Sequence, residues 1–262
     1  MIRLLARLTG LLAAMLALGT SAQTLEVRPD LAKRFGDRPG CFALYDATAR
    51  RMLVVDSARA QRRYRPASTF KIANSLIALE TGAVSDVDEI IPYGGGPQPF
   101  KAWERDMPMR EAIVASSVPV YQEIARRIGL PRMRQQLTRL GYGNMQTGEV
   151  VDRFWLDGPL QISAVEQARF LARLAQGQLP ASKRSQQQVR EILRLENEGP
   201  AALYGKTGWA FDGRPDIGWW VGWVERDGRI HSFALNIDLR GEQDLGLRRE
   251  IGEALLRKLE LL

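Results

Sequence analysis

Apolar and polar positions along the chain change their period twice, and the changes divide it. Polar residues 23–39 lead into two short alternating runs, Cys41 to Tyr45 and Arg51 to Asp56, around Asp46-Ala47-Thr48-Ala49-Arg50, the pattern of a β-hairpin. From Pro66 to about Leu195 the apolar residues return every three or four positions, so nearly every segment there predicts helix. Pro66 suits a helix start and Gly82 a stop, Gly129 and Gly141 follow periodic runs, and Ser163-Ala164-Val165-Glu166 is a capping box before a helix to about Ala175. After Gly199-Pro200 the pattern turns to strands, over Ala202 to Lys206, Gly218 to Glu225 and Arg229 to Asp238. A final helix is expected from Leu247 to Leu261. Helices bracketed by strands predict a mixed α/β (α+β) domain with a discontinuous sheet lobe (23–65 and 196–262) and a helical lobe (about 66–195). A ligand cleft is expected between them.

Residues 1–22 follow a different pattern. Arg3 and Arg7 precede the apolar stretch Leu8 to Leu18, and Gly19-Thr20-Ser21-Ala22 supplies small residues before Gln23, as in a secretory signal. The apolar part is shorter than the roughly 20 residues a transmembrane helix needs, so export with cleavage is the expectation, and no stable membrane association afterwards.

At 262 residues, 45% hydrophobic and 26% charged, the chain can bury a full core. The formal charge of +7 does not mark a nucleic-acid binder, because the arginines are scattered among acids and no aromatic-interleaved basic motif appears. The surface is compatible with a monomer or a homodimer. One cysteine, Cys41, rules out an internal disulfide and reads as a buried small hydrophobe in its apolar run. One cysteine and one histidine do not make an ordinary zinc site, so no metal is expected. His231 lies on a strand with Phe233, Leu235 and Ile237 on its face and reads as structural, so a base for nucleophilic chemistry has to come from elsewhere.

Lysine is the remaining candidate. Ser68 and Lys71 stand three residues apart at the start of the helix opened by Pro66 and so share one face. Free N–H groups in a first turn would stabilise a developing oxyanion at Ser68, and an amine among Phe70, Ile72 and Leu76 would lose hydration and become basic. Taken alone, the pair fits either an activated nucleophile with its activator or a capping serine with a snorkelling lysine. Three further stretches bear on the choice. In Ser116-Ser117-Val118-Pro119 a proline breaks a helical pattern, Lys206-Thr207-Gly208 ends a predicted strand, and Tyr142-Gly143-Asn144 follows a helix stop.

In this order and spacing the motifs resemble the class D, oxacillinase-type serine β-lactamases of the penicillin-binding protein superfamily. Ser68-Thr69-Phe70-Lys71 and Lys206-Thr207-Gly208 mark the superfamily. Ser116-Ser117-Val118, Tyr142-Gly143-Asn144, the Trp155 loop from Phe154 to Leu160, and Gly218-Trp219-Trp220-Val221-Gly222-Trp223 mark the class, over about residues 40 to 260. The resemblance implies a two-lobed serine β-lactamase/transpeptidase-like fold, with a mainly antiparallel sheet flanked by helices. It also implies hydrolysis of small β-lactam substrates in the periplasm, hence antibiotic resistance. Ser68 would be acylated, Lys71, carboxylated by carbon dioxide to N6-carboxylysine, would be the general base, and Ser116 would relay the leaving-group proton. Lys206, Thr207, Gly208, Trp209 and Arg248 would bind substrate, with Arg249 the competitor for the last place. The backbone N–H groups of Ser68 and Trp209 would form the oxyanion hole, and Val118, Trp155 and Leu156 would wall the lysine pocket. No cofactor beyond carbon dioxide or bicarbonate is implied. A penicillin-binding transpeptidase or carboxypeptidase shares Ser-x-x-Lys and Lys-Thr-Gly, and a non-hydrolytic β-lactam sensor is the other alternative; the Trp155 loop speaks against the first and the compact chain against the second. Exported protein is expected to begin at Gln23, and intact-mass measurement checks this, with retention of residues 1–22 refuting the cleavage.

Overall fold

The computed structural model describes residues 25–211, 213 and 215–262, so the expected signal segment and its cleavage point lie outside the described residues. Three strands form early. Strand β1 (Leu25–Val27) pairs parallel with β3 (Arg51–Val55), which pairs antiparallel with β2 (Gly40–Asp46) as the expected hairpin. The Asp46 carboxylate fixes the turn by accepting from the N–H groups of Thr48 and Ala49, each at 2.9 Å. Asp56, expected to end β3, instead caps helix α1 (Ser57–Gln61) by accepting from the Arg59 N–H. The stretch 23–39, read as plain polar chain, holds β1 and a 3-10 helix over Pro29–Phe35, because Leu31 and Phe35, four residues apart, are buried under the sheet.

The central helix is α2 (Lys71–Glu80), buried from Lys71 through Ala78. Around it lie α3 (Met109–Val114), α4 (Val118–Ile128), α5 (Leu130–Leu140), α6 (Ala164–Ala175) and α7 (Lys183–Leu193). Helices α4 and α5 stop before Gly129 and Gly141, and α6 begins at the Ser163 capping box, as the sequence predicts. The expectation of helix almost throughout this region needs correction. A small sheet of β4 (Ile90–Ile91) and β5 (Met107–Pro108), a 3-10 turn over Lys101–Trp103, and a long irregular run between α5 and α6 interrupt it. Glycine and proline concentrate in these segments, and they cannot sustain the helical hydrogen-bond ladder there.

After β6 (Arg194–Leu195), three long antiparallel strands complete the sheet: β7 (Ala202–Ala210), β8 (Asp216–Arg226) and β9 (Arg229–Leu239). The order is β1-β3-β2-β9-β8-β7-β6, mainly antiparallel. Strand β7 does not end at Lys206, because Thr207, Gly208, Trp209 and Ala210 go on to pair with Trp220, Trp219, Gly218 and Ile217. Lys-Thr-Gly looks like a strand end by composition, but its backbone groups are satisfied by the neighbouring strand. Both faces of β8 are buried: Trp219, Val221 and Trp223 join a core shared with the helices, whereas Trp220 and Val224 face α8 (Leu247–Lys258). One core thus runs from the sheet through α2 and α6, which places α2's N-terminus beside β7. Helix α8 reaches the sheet closely at Gly252, where a Cβ would fall 2.1 Å from the ring of fully buried Trp220. Alanine at an ordinary helix site gains about 1 kcal/mol over glycine. We expect Gly252→Ala to destabilise nonetheless, by about 1–3 kcal/mol through overpacking, measured by chemical denaturation; a gain in stability would contradict the packing.

Candidate active site

Ser68 was expected in the first turn of a helix; it lies instead in a 3-10 turn, Ala67–Phe70, that runs directly into α2. The turn is fastened from outside. The Ala67 N–H donates to the Trp155 carbonyl (3.1 Å), and Thr69 Oγ1 donates to the Pro66 carbonyl (2.7 Å) while accepting from Gln167 Nε2 of α6 (2.8 Å). Trp219 Nε1 of β8 holds the Arg65 carbonyl at 2.8 Å. Gly208 was expected to let backbone approach a ligand. It also lets β7 approach this turn, since a Cβ there would sit 3.0 Å from the Pro66 carbonyl oxygen and 3.3 Å from the Thr69 nitrogen.

Lys71 is fully buried, and its Nζ lies 2.8 Å from Ser68 Oγ. Burial, followed by the charge of Lys206, pushes its pKa well below the ordinary lysine value. The Nζ also lies 5.4 Å from the ring centroid of Tyr121 on α4. Tyr121 is tied back to α2 at two points: its hydroxyl is 2.8 Å from Ser75 Oγ, and its carbonyl accepts from Asn74 Nδ2 at 3.1 Å. Beside Lys71 along the chain, Phe70 packs against Trp155 with ring centroids 5.3 Å apart and against Phe154 at 5.0 Å. Trp155 is fully buried and its Nε1 has no hydrogen-bond partner among the described residues. Val118 and Leu156 are half-buried, at the start of α4 and directly after Trp155. Tyr142-Gly143-Asn144 closes the Trp155 loop: Asn144 Nδ2 donates to the Pro159 carbonyl at 2.8 Å and Asn144 Oδ1 accepts from the Gln161 N–H at 3.0 Å.

The break between α3 and α4 has a defined form. The Ser117 N–H donates to the Ala112 carbonyl and the Ser116 N–H to the Ile113 carbonyl, the Schellman closure of a helix C-terminus. Its left-handed position, which normally favours glycine, is filled by Ser116 at φ 54°. For an L-residue that conformation costs about 1–2 kcal/mol. It turns Ser116 Oγ toward β7, where it accepts from Lys206 Nζ at 3.0 Å.

Lys206 is buried, and its Nζ also donates to the Thr207 carbonyl at 2.9 Å. Burial, then the charge of Arg248, lowers its pKa to about 7. Arg248 Nη1 donates to the Gly208 carbonyl at 2.9 Å, and burial lowers this guanidinium to about 10. Arg249, by contrast, is an exposed residue that pairs with Glu253 one turn away. Of the two, Arg248 is the arginine that contacts Lys206-Thr207-Gly208. Trp209 is half-buried and pinned by Nε1 to Asp216 Oδ2 at 2.9 Å, across the mouth of the β7–β8 connection. Cys41 is buried with its thiol pushed up to about 12 by that burial, and His231 lies 3.4 Å from Asp46.

No local pattern marks Gln167, Tyr121, Trp103 or Asp216 for the site. Each is an ordinary core or surface residue by local pattern, and only folding brings it to the site. A lowered lysine pKa has a cost in stability. Below about 7 Lys206 is protonated folded and unfolded, between about 7 and its ordinary 10.5 only the unfolded state holds the proton, and above that neither does. We expect Lys206→Met to raise the melting temperature at neutral pH, with the advantage shrinking as pH rises through this window; a constant difference in a pH series would contradict the burial account.

A family model described as the penicillin binding protein transpeptidase domain matches residues 40–257. The chain is 42% identical over 215 residues to beta-lactamase OXA-10 of Pseudomonas aeruginosa, covering 81% of each protein. It is 43% identical over 204 residues to beta-lactamase OXA-48 of Klebsiella pneumoniae, covering 78% of this chain and 77% of the relative. The crystal structure of FUS-1 (OXA-85), a class D beta-lactamase from Fusobacterium nucleatum subsp. polymorphum, matches with a TM-score of 0.87 at 39% identity, covering 90% of this chain and 100% of that one. With the motifs gathered around one buried lysine and the likeness extending over both sequence and fold, the chain belongs to the class D β-lactamases of the penicillin-binding protein transpeptidase superfamily.

Proposed function

We propose that the protein hydrolyses the ring amide of penicillin-type β-lactams through an acyl-enzyme on Ser68, and so confers resistance to them. The observation that carries this reading is the 2.8 Å contact between Ser68 Oγ and a fully buried lysine whose neutral form is favoured. A neutral amine can accept the hydroxyl proton as Oγ attacks the lactam carbonyl. The N–H groups of Ser68 and Trp209 receive the developing oxyanion. Trp209 suits this because β6 covers β7 only at Tyr204 and Leu203, leaving the edge beyond them unpaired with any strand among the described residues. When the C–N bond breaks, Ser116 relays to the ring nitrogen the proton that the base took from Ser68, with Lys206 Nζ against its Oγ. Lys206, Thr207 and Arg248 hold the substrate carboxylate, for which this cationic corner is suited.

Lys71 also fits modification. A neutral amine adds carbon dioxide and releases one N–H proton to solvent, and the resulting N6-carboxylysine supplies an anionic general base for acylation and deacylation. Trp155 Nε1, a buried donor without a partner, supports the fit because an anion there would satisfy it. Val118 and Leu156 would keep water from the amine. We infer periplasmic action after signal cleavage; no helix among the described residues is long and apolar enough to cross a membrane.

A chromogenic cephalosporin tests the reading. Repeated turnover is expected, whereas a stoichiometric stable adduct would point to a transpeptidase or sensor. Ser68→Ala should lose about a thousandfold or more in kcat and form no covalent adduct by mass. Stripping bicarbonate at mildly acidic pH, where protonation of the amine competes with carbon dioxide, should lower turnover reversibly, and Trp155→Ala should deepen that dependence. Activity indifferent to bicarbonate, with no carbamate signal in carbon-13 NMR, would leave Lys71 unmodified.

A further inference from the structure

Trp103 lies in the 3-10 turn Lys101–Trp103, away from the catalytic motifs in sequence, yet its indole Nε1 donates to the Ala115 carbonyl at 2.9 Å. That carbonyl ends α3 and belongs to the group of terminal acceptors that a helix leaves without an internal partner. The Schellman closure satisfies the carbonyls of Ala112 and Ile113, and the indole takes the one at Ala115. The next residue is Ser116, held at φ 54° without the freedom of a glycine. An unfavoured backbone conformation at a reacting residue persists only where its surroundings over-determine it. Here the restraints are two backbone hydrogen bonds before the turn, the Lys206 contact on Oγ, and the indole N–H on the peptide that joins Ala115 to Ser116. The indole is itself held, since Phe100 packs edge-on against it with centroids 4.7 Å apart.

We propose that Trp103 is a positioning residue for catalysis: by donating to the Ala115 carbonyl, its indole N–H holds Ser116 in the left-handed conformation that presents Oγ to Lys206. This rests on the reading of Ser116 as the proton relay. Rotation of the Ala115–Ser116 peptide toward an ordinary conformation would carry Oγ away from Lys206 Nζ and lengthen the proton path to the leaving nitrogen. The role acts on the chemical step, so it is distinct from an aromatic wall that holds the substrate side chain.

A double-mutant cycle separates the two roles. The kcat and KM for a chromogenic cephalosporin would be measured at saturating bicarbonate for the parent protein, Trp103→Phe, Ser116→Ala and the double variant. Trp103→Phe should lower kcat about threefold to tenfold, the equivalent of one neutral hydrogen bond, with KM within about twofold. In the Ser116→Ala background the same replacement should change kcat by less than about twofold, because there is no hydroxyl left to position. Replacing Trp103 by its benzothienyl isostere, which keeps the ring shape and removes only the N–H, should reproduce the loss and guards against misfolding of the phenylalanine variant. An equal loss in both backgrounds, a loss carried by KM that varies with substrate side-chain size, or full activity of the isostere would each overturn the proposal. Ser116→Ala at the parent rate would overturn the relay reading and this proposal with it, whereas a slow Ser116→Ala with an additive cycle would overturn this proposal alone.

Discussion

A lysine amine buried without a carboxylate beside it among the described residues is the constraint on which the site depends. Lys71 Nζ meets a serine hydroxyl and the face of an aromatic ring, and neither offsets the loss of hydration of an ammonium. The cost is carried by a core that runs from the sheet through α2, so that a structure able to bury Phe70, Trp155 and Tyr121 completely also keeps the amine dry. The penalty falls on the charged form. It thereby produces the reactive one, and stability and reactivity are set by the same burial.

Positive charge accumulates around that amine. Lys71, Lys206 and Arg248 are all depressed by burial, and Lys206 and Arg248 each lower the basicity of a neighbour. Such an arrangement is unfavourable while it stands alone and becomes favourable with an anion among its members. It therefore suits the carboxylate of a β-lactam. The backbone shows a parallel pattern: Ala67 and Ser116, beside and within the proposed catalytic set, both take positive φ without being glycine. Ala67 donates its N–H to the carbonyl of distant Trp155, whereas Ser116 sits in the local closure of α3, with Trp103 donating to the carbonyl of the residue before it.

Much of this is determined by the sequence alone. The β2–β3 hairpin, the capping box of α6, and the stops at Gly129 and Gly141 follow from local periodicity and turn chemistry, which act over a few residues. The pairing of Ser68 with Lys71 is equally local, being one helical turn, and the motif order identifies the class because several short signals coincide.

Tertiary structure decided the rest, and the reason is range. No period marks Gln167, Tyr121 or Trp103 as part of a site, since each acts on a residue remote in sequence through one hydrogen bond or ring contact. Arg248 and Arg249 are equivalent in a linear reading; they differ because α8 docks on the sheet and only one of two adjacent helix positions can face Gly208. Lys206-Thr207-Gly208 resembled the end of a strand until β8 supplied hydrogen bonds that carried β7 past it. Local chemistry named the reacting groups, and the packing of distant segments fixed their protonation, their orientation and their neighbours.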